Sequence, residues 1–141
     1  MKIWVNGCFD ILHTGHLDLL EYAKYQAEPQ VIHTTPNILI IGIDSDRRIK
    51  ELKGKNRPIN FAEDRKRMLM SLRVVSEVHI FDTADELRQL IKDLEIDLMV
   101  DGEEYRYKEV IGSENSKYGV VYYQTDNRST TNLIKKLKIN E

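Results

Sequence analysis

Five short runs of apolar, β-branched and aromatic residues recur along this chain of 141 residues, and stretches of helical periodicity lie between or after most of them. The runs are Lys2–Gly7 (KIWVNG), Asn37–Asp44 (NILIIGID), Ser76–Phe81 (SEVHIF), Ile96–Gly102 (IDLMVDG) and Gly119–Gln124 (GVVYYQ). Helical patterns cover His16–Gln26, Ser45–Leu52, Phe61–Leu72, Ala84–Leu94 and Thr130–Leu137. Near-continuous apolar strands separated by helices indicate a parallel sheet buried on both faces. The expected fold class is therefore α/β: a Rossmann-like parallel sheet of about five strands with helices on both faces. By length, residues 1–141 make a single domain. A domain of this size buries roughly 68–70% of its unfolded surface, enough for a real core.

Sheets of this kind bind ligands beyond the carboxyl ends of their strands, at the point where strand order reverses. That rule directs attention to Asn6–Asp10, Asp44–Asp46, Asp101–Glu104 and Asp126–Thr131. The segment Ala27–Asn37, with Pro29 and Pro36, reads as an exposed loop or flap. There is no internal repeat and no low-complexity tract.

Composition removes several classes of function. A formal net charge of −2 gives no global basic field, so nucleic acid is not an expected partner. No apolar stretch approaches the roughly 20 residues of a membrane span. The opening MKIWVNG is too short and too soon polar for a signal peptide. A lone cysteine, Cys8, excludes an internal disulfide and a multi-cysteine zinc site. These features point to a cytoplasmic protein.

Chemistry concentrates first in VNGCFDILHTGHLDLL, Val5–Leu20. Gly7 lets the backbone turn closely after the strand. Gly15 opens a helix with Leu17, Leu20 and Ala23 inward. His13 precedes that helix and His16 lies in its first turn, so both rings can face one pocket mouth. Helix amino termini offer free N–H groups and partial positive charge, which suit phosphate. An imidazole there can donate to a phosphate oxygen and, if protonated, offset developing charge. A surface histidine pair and a metal pair are the alternatives, the latter without an obvious third ligand.

A basic segment follows. Arg47, Arg48 and Lys50 read as a solvated helix face. Lys53 and Arg57 flank Gly54 in the loop beyond it, placed to supply countercharge to phosphates. Asn60 and Glu63 have capping-box spacing. Phe61, Met68, Leu69 and Leu72 would then form the apolar stripe of the next helix. Arg65 sits on that stripe, and a charge on a buried side needs a partner or a ligand. An ion pair, a dimer contact and a phosphate contact all satisfy this.

Two further loops complete the set. Gly102 follows Asp101 at a strand end and permits close approach. Glu103 and Glu104 could meet a hydrated magnesium ion or sugar hydroxyls, or simply be solvated. Ser129 is a natural N-cap, and Thr130 and Thr131 follow with exposed N–H groups, an arrangement that again suits phosphate. Leu133, Ile134 and Leu137 would pack inward.

GCFDILHTGH matches the G-x-F-D-x-x-H-x-G-H signature of the cytidylyltransferase-like nucleotidyltransferases. The segment LKGKNRPINFAEDR resembles the L-K-G-x-x-R-P-[VI]-N-x-x-E-D-R stretch of heptose-1-phosphate adenylyltransferases, the nucleotidyltransferase part of bifunctional ADP-heptose synthases. Glycerol-3-phosphate cytidylyltransferases are the alternative subfamily. The resemblance implies transfer of a nucleoside monophosphate from an NTP, ATP or CTP, to a phosphorylated sugar or polyol, with loss of pyrophosphate. His13, His16 and Lys53 become the implied catalytic residues. Gly7, Cys8, Phe9, Asp10, Gly15, Arg57, Gly102, Ser129, Thr130 and Thr131 become the nucleotide-binding set, with Cys8 as a small packing residue. Asp44, Arg65, Glu103 and Arg128 are candidates for substrate or phosphate contact. Mg²⁺ is implied with the NTP.

This chain also departs from both subfamilies. In VDGEEY, Asp101 replaces a lysine of the heptose enzymes and Glu103 their second glycine. In QTDNRSTT, Gln124 and Asn127 replace the arginine and glycine of the glycerol-3-phosphate enzymes, and Arg128 is the candidate substitute for the missing arginine. Members of the family are commonly dimers, so a homodimer is an option the resemblance adds. A nucleotide-binding module without turnover is the alternative of another class. An H-x-G-H also marks class I aminoacyl-tRNA synthetases, but this chain is too short and has no K-M-S-K-S-like loop.

Overall fold

The computed structural model describes residues 1–27, 36–124 and 130–139. Five strands, β1 (Lys2–Gly7), β2 (Ile38–Asp44), β3 (Glu77–Phe81), β4 (Leu98–Gly102) and β5 (Val120–Tyr123), form one sheet in the order β3-β2-β1-β4-β5. Every pairing is parallel. The helices are α1 (Thr14–Tyr25), α2 (Asp46–Lys53), α3 (Ala62–Met70), α4 (Ala84–Asp93) and α5 (Thr130–Ile139). Short 3-10 turns cover Glu103–Tyr105 and Ser113–Asn115. Strand order reverses between β1 and β4, so the switch point lies at the carboxyl end of β1.

Side chains alternate across the strands and build a core on each face. Ile3, Val5, Ile41 and Leu98 pack with Leu20 and Ala23 of α1 and Leu69 of α3. Trp4, Ile40, Phe81 and Met99 pack with Leu87 and Ile91 of α4 on the other side. Helices on both faces are why the strands carry few polar residues. The register sets Asn6 opposite Gly42. A Cβ at Gly42 would fall 2.2 Å from Trp4 Cζ2, so only glycine admits the indole. Side-chain caps fix two helix starts: Ser45 Oγ accepts from Arg48 N, and Thr83 Oγ1 from Glu86 N.

Helix α3 departs from its expected capping. Its N-cap is Phe61, with no side-chain cap bond, and the Ala62 N–H is donated to Asp46 Oδ1. Asn60 is engaged elsewhere: its Nδ2 donates to the Asp10 carbonyl. The buried stripe is Ala62, Arg65 and Leu69. Phe61 stands one residue before the helix in extended conformation and is exposed, as is Met68. In α5, Leu133 and Ile134 are half-buried, whereas Leu137 is exposed. The loop expected over Ala27–Asn37 lies mostly outside the described residues. Among the described residues, no helix is long and apolar enough to cross a membrane.

Candidate active site

A cavity of about 490 Å³ opens at the carboxyl ends of β1, β2, β4 and β5. Pockets of roughly 300–1,000 Å³ are typical for small ligands. Gly7, Cys8, Phe9 and Asp10 line it from the loop after β1, and His13, Gly15 and His16 from the start of α1. Asp44 enters at the end of β2, Lys53 at the end of α2, and Arg57 beyond it. Asp101 and Gly102 close the β4 side, and Thr131 of α5 reaches the same space. The starts of the first and last helices therefore meet at one cavity.

The two imidazoles cap their own helix. His13 is the N-cap, and its Nδ1 accepts from Gly15 N at 3.1 Å. His16 Nδ1 accepts from His13 N at 3.2 Å. The rings stack with centroids 3.9 Å apart. A nitrogen that accepts from a backbone N–H carries no proton, so in each neutral ring the proton sits on Nε2. This alters the expectation that phosphate meets free backbone N–H groups at this helix start. The N–H groups of His13 and Gly15 are taken by the rings, and each neutral ring carries its own proton on Nε2.

Burial, with the neighbouring His13 and Lys53 adding to it, pushes the His16 ring down to about 4. At neutral pH it is thus a neutral donor and not an imidazolium. In an NMR titration the His16 ring should stay uncharged as pH falls through 6.5, the midpoint of an exposed imidazole, and protonate only near 4. A midpoint at or above 6 would contradict the enclosed geometry. Asp101 runs in the opposite sense: burial, assisted by Glu104 and opposed by a hydrogen bond from Gly102 N, raises it to about 6. Its carboxylate is anionic above that pH and mostly protonated near pH 5.

The loop Gly7–Asp10 is held from outside. Phe9 has φ 49, in the left-handed region, and its ring is buried 5.2 Å from that of His16. A phenylalanine holds such a backbone only when its surroundings over-determine it. Arg65 supplies part of that constraint. Its Nη1 donates to the carbonyls of Cys8 at 2.9 Å and Asp44 at 2.8 Å, its Nε to the Asn60 carbonyl, and its Nη2 to Asp46 Oδ1. Asp10 supplies the rest, accepting from Arg57 Nε, Ile59 N and Asn60 N.

Two candidate contacts are corrected by these positions. Arg65 has no exposed side-chain surface and is occupied by four protein acceptors, so it ties loops together and does not reach the cavity. Glu103 pairs with Arg106 at the exterior, and Glu104 takes the cavity side. Both glutamates lie in the 3-10 turn, and only the second lines the cavity. Arg48, read as solvated, is mostly buried, bonded to Asp44 Oδ1 at 2.8 Å and set over the Phe81 ring. Arg47 does lie at the surface, paired with Asp82 and Glu51. Arg128 and Ser129 fall outside the described residues, as does the Thr130 side chain. Tyr105 and Tyr123 also line the cavity. For Tyr123, its place at a strand's carboxyl end was the available signal.

Cys8 points its thiol toward Asp44 Oδ2 at 3.5 Å, and burial, with Asp44 beside it, raises the thiol to about 11. A thiol held neutral is no nucleophile. Asp44 itself is buried, accepting from Arg48. Lys53 forms no ion pair among the described residues and so remains a cation available to an anionic ligand.

The family model described as cytidylyltransferase-like matches residues 4–136. The bifunctional protein HldE of Campylobacter fetus subsp. fetus is 43% identical over 136 residues, which is 96% of this chain and 28% of that protein. The bifunctional protein HldE of Helicobacter hepaticus is 40% identical over 96% of this chain and 26% of its own length. The chain thus spans about a quarter of the length of the curated relatives it matches. The crystal structure of the lipopolysaccharide core biosynthesis protein from Thermoplasma volcanium GSS1 covers 90% of this chain and 98% of its own, with TM-score 0.68 and 21% identity, a likeness of fold.

Proposed function

The chain belongs to the cytidylyltransferase-like family, and from that premise we propose that it transfers a nucleoside monophosphate from an NTP to a phosphorylated sugar or polyol, releasing pyrophosphate. The preferred pair is ATP with heptose 1-phosphate, favoured by the likeness of Leu52–Arg65 to heptose-1-phosphate adenylyltransferases. The observation that carries the reading is the convergence of both helix starts, two imidazole donors and Lys53 on one cavity.

In the proposed step, an acceptor phosphate oxygen attacks the α-phosphorus in line. The new P–O bond forms as the bond to the bridging oxygen breaks, and pyrophosphate departs with the electron pair. Little covalent chemistry falls to the protein, whose work is positioning and charge neutralisation. His13 and His16 donate from Nε2 to oxygens that gain charge, without giving up a proton. Lys53 and Arg57 face the β- and γ-phosphates, and the Thr131 end of α5 holds the phosphates from the opposite side.

Among the described residues, no three histidine, cysteine or acidic side chains stand together as a cation cage. Asp101 and Glu104 line the cavity and are carboxylates able to accept the waters of an Mg²⁺ that accompanies the polyphosphate. When bound it supplies countercharge to the phosphates. A cytoplasmic setting goes with this reading, since ATP and sugar phosphates are found there.

The test is a pyrophosphate-release screen of four NTPs against heptose 1-phosphate, glycerol 3-phosphate and related phosphates. Release with ATP and heptose 1-phosphate is expected to lead. Leading release with CTP and glycerol 3-phosphate would move the assignment to the other subfamily. NTP binding with no release from any pair would make the chain a binding module.

A further inference from the structure

A buried ion pair beside the cavity suggests how one of its cations is aimed. The Asp10 side chain is fully buried and that of Arg57 is 12% exposed. Asp10 Oδ2 accepts from Arg57 Nε at 3.0 Å and from Ile59 N at 2.8 Å, and Oδ1 accepts from Asn60 N at 2.8 Å. Three donors therefore fix the carboxylate, and it in turn fixes one edge of the guanidinium. The other edge is different. Arg57 Nη2 is enclosed and has no hydrogen-bond partner among the described residues. Arg57 nevertheless lines the cavity with His16 and Lys53. An enclosed guanidinium N–H without an acceptor is costly unless a ligand provides one.

We infer that Asp10 is a positioning residue: it holds Arg57 by Nε so that Nη2 is presented to an anionic oxygen of a bound polyphosphate. The inference rests on the proposed nucleotide reading and specifies the task of one residue pair within it. The pair is nearly neutral, so its contribution is direction rather than long-range attraction. Arginine suits this because its planar fork can spend one edge on a carboxylate and offer the other; lysine cannot.

The sign of one substitution separates orientation from charge. Asp10→Asn removes a negative charge beside the cavity, so electrostatics alone would tighten anion binding. Orientation gives the reverse, because the asparagine no longer secures Arg57. The experiment is calorimetric titration of inorganic tripolyphosphate into the wild-type protein, Asp10→Asn, Arg57→Lys and the double variant, with thermal midpoints recorded alongside. Loss of one charge-assisted bond predicts about 10-fold weaker binding for each single variant. The double variant should bind no more weakly than the weaker single, because both lesions remove the same contact. A purely structural role for Asp10 would instead lower the midpoint and add its loss to that of Arg57→Lys. Unchanged or tighter binding by Asp10→Asn, or additive losses, would overturn the inference. If Asp10→Asn does not fold, full affinity in Arg57→Lys overturns it equally. No binding by the wild type would strike the polyphosphate reading beneath it, a distinguishable failure.

Discussion

Replacing His16 with alanine is expected to lower turnover at least ~100-fold, the scale of losing one preorganised donor to a developing oxyanion. The argument starts from the backbone. His13 N donates to His16 Nδ1, which leaves the ring proton on Nε2. Burial then keeps the ring uncharged at neutral pH. In the proposed step the group would act as a fixed neutral donor to an oxygen that gains charge as the bond to the leaving pyrophosphate breaks. Such an interaction is stronger in the transition state than in the ground state, so kcat should fall much further than the affinity for NTP. The substitution also uncaps the His13 N–H, a cost of roughly 1 kcal/mol to the helix start, so the thermal midpoint must be measured on the same sample. A folded variant with wild-type rates would remove His16 from the mechanism.

Arg65→Met should have the largest effect on stability. The side chain has no exposed surface and serves the carbonyls of Cys8, Asp44 and Asn60 as well as Asp46 Oδ1. Methionine fills much of the volume and satisfies none of these acceptors. Removing one partner of such a buried network costs about 3–5 kcal/mol, which corresponds to a fall in Tm on the order of 10–15 °C. Lysine should rescue little, because one ammonium cannot span four divergent acceptors. Denaturant unfolding checks this, and a loss under ~1 kcal/mol would mean the guanidinium is not the tie between these loops.

The sheet was legible because its signal is local. Each apolar run became a strand within two residues of the expected bounds, and each helical pattern became a helix. The H-x-G-H segment, Lys53 and Thr131 were found from type and spacing, and the structure sets them around one cavity. Partner choice was the harder part. Arg65 announces itself as a charge on an apolar stripe, but three of its partners are backbone carbonyls, which carry no sequence signature. Asn60 has the chemistry of an N-cap, yet Asp10, fifty residues earlier, takes its amide. Glu103 and Glu104 are alike in sequence, and only the folded chain shows that the second lines the cavity. The self-capping of α1 by its own histidines was likewise hidden, since spacing alone favours free N–H groups there.

The central claim is that two helix starts, far apart in sequence, hold a single polyphosphate. It is tested most directly by following backbone amide resonances of Gly15 and Thr131 while a non-hydrolysable ATP analogue is added with Mg²⁺. Both should shift together along one saturation curve, with a shared Kd, and inorganic tripolyphosphate should reproduce much of the effect. Shifts at only one of the two residues, or two curves with different affinities, would contradict a common site.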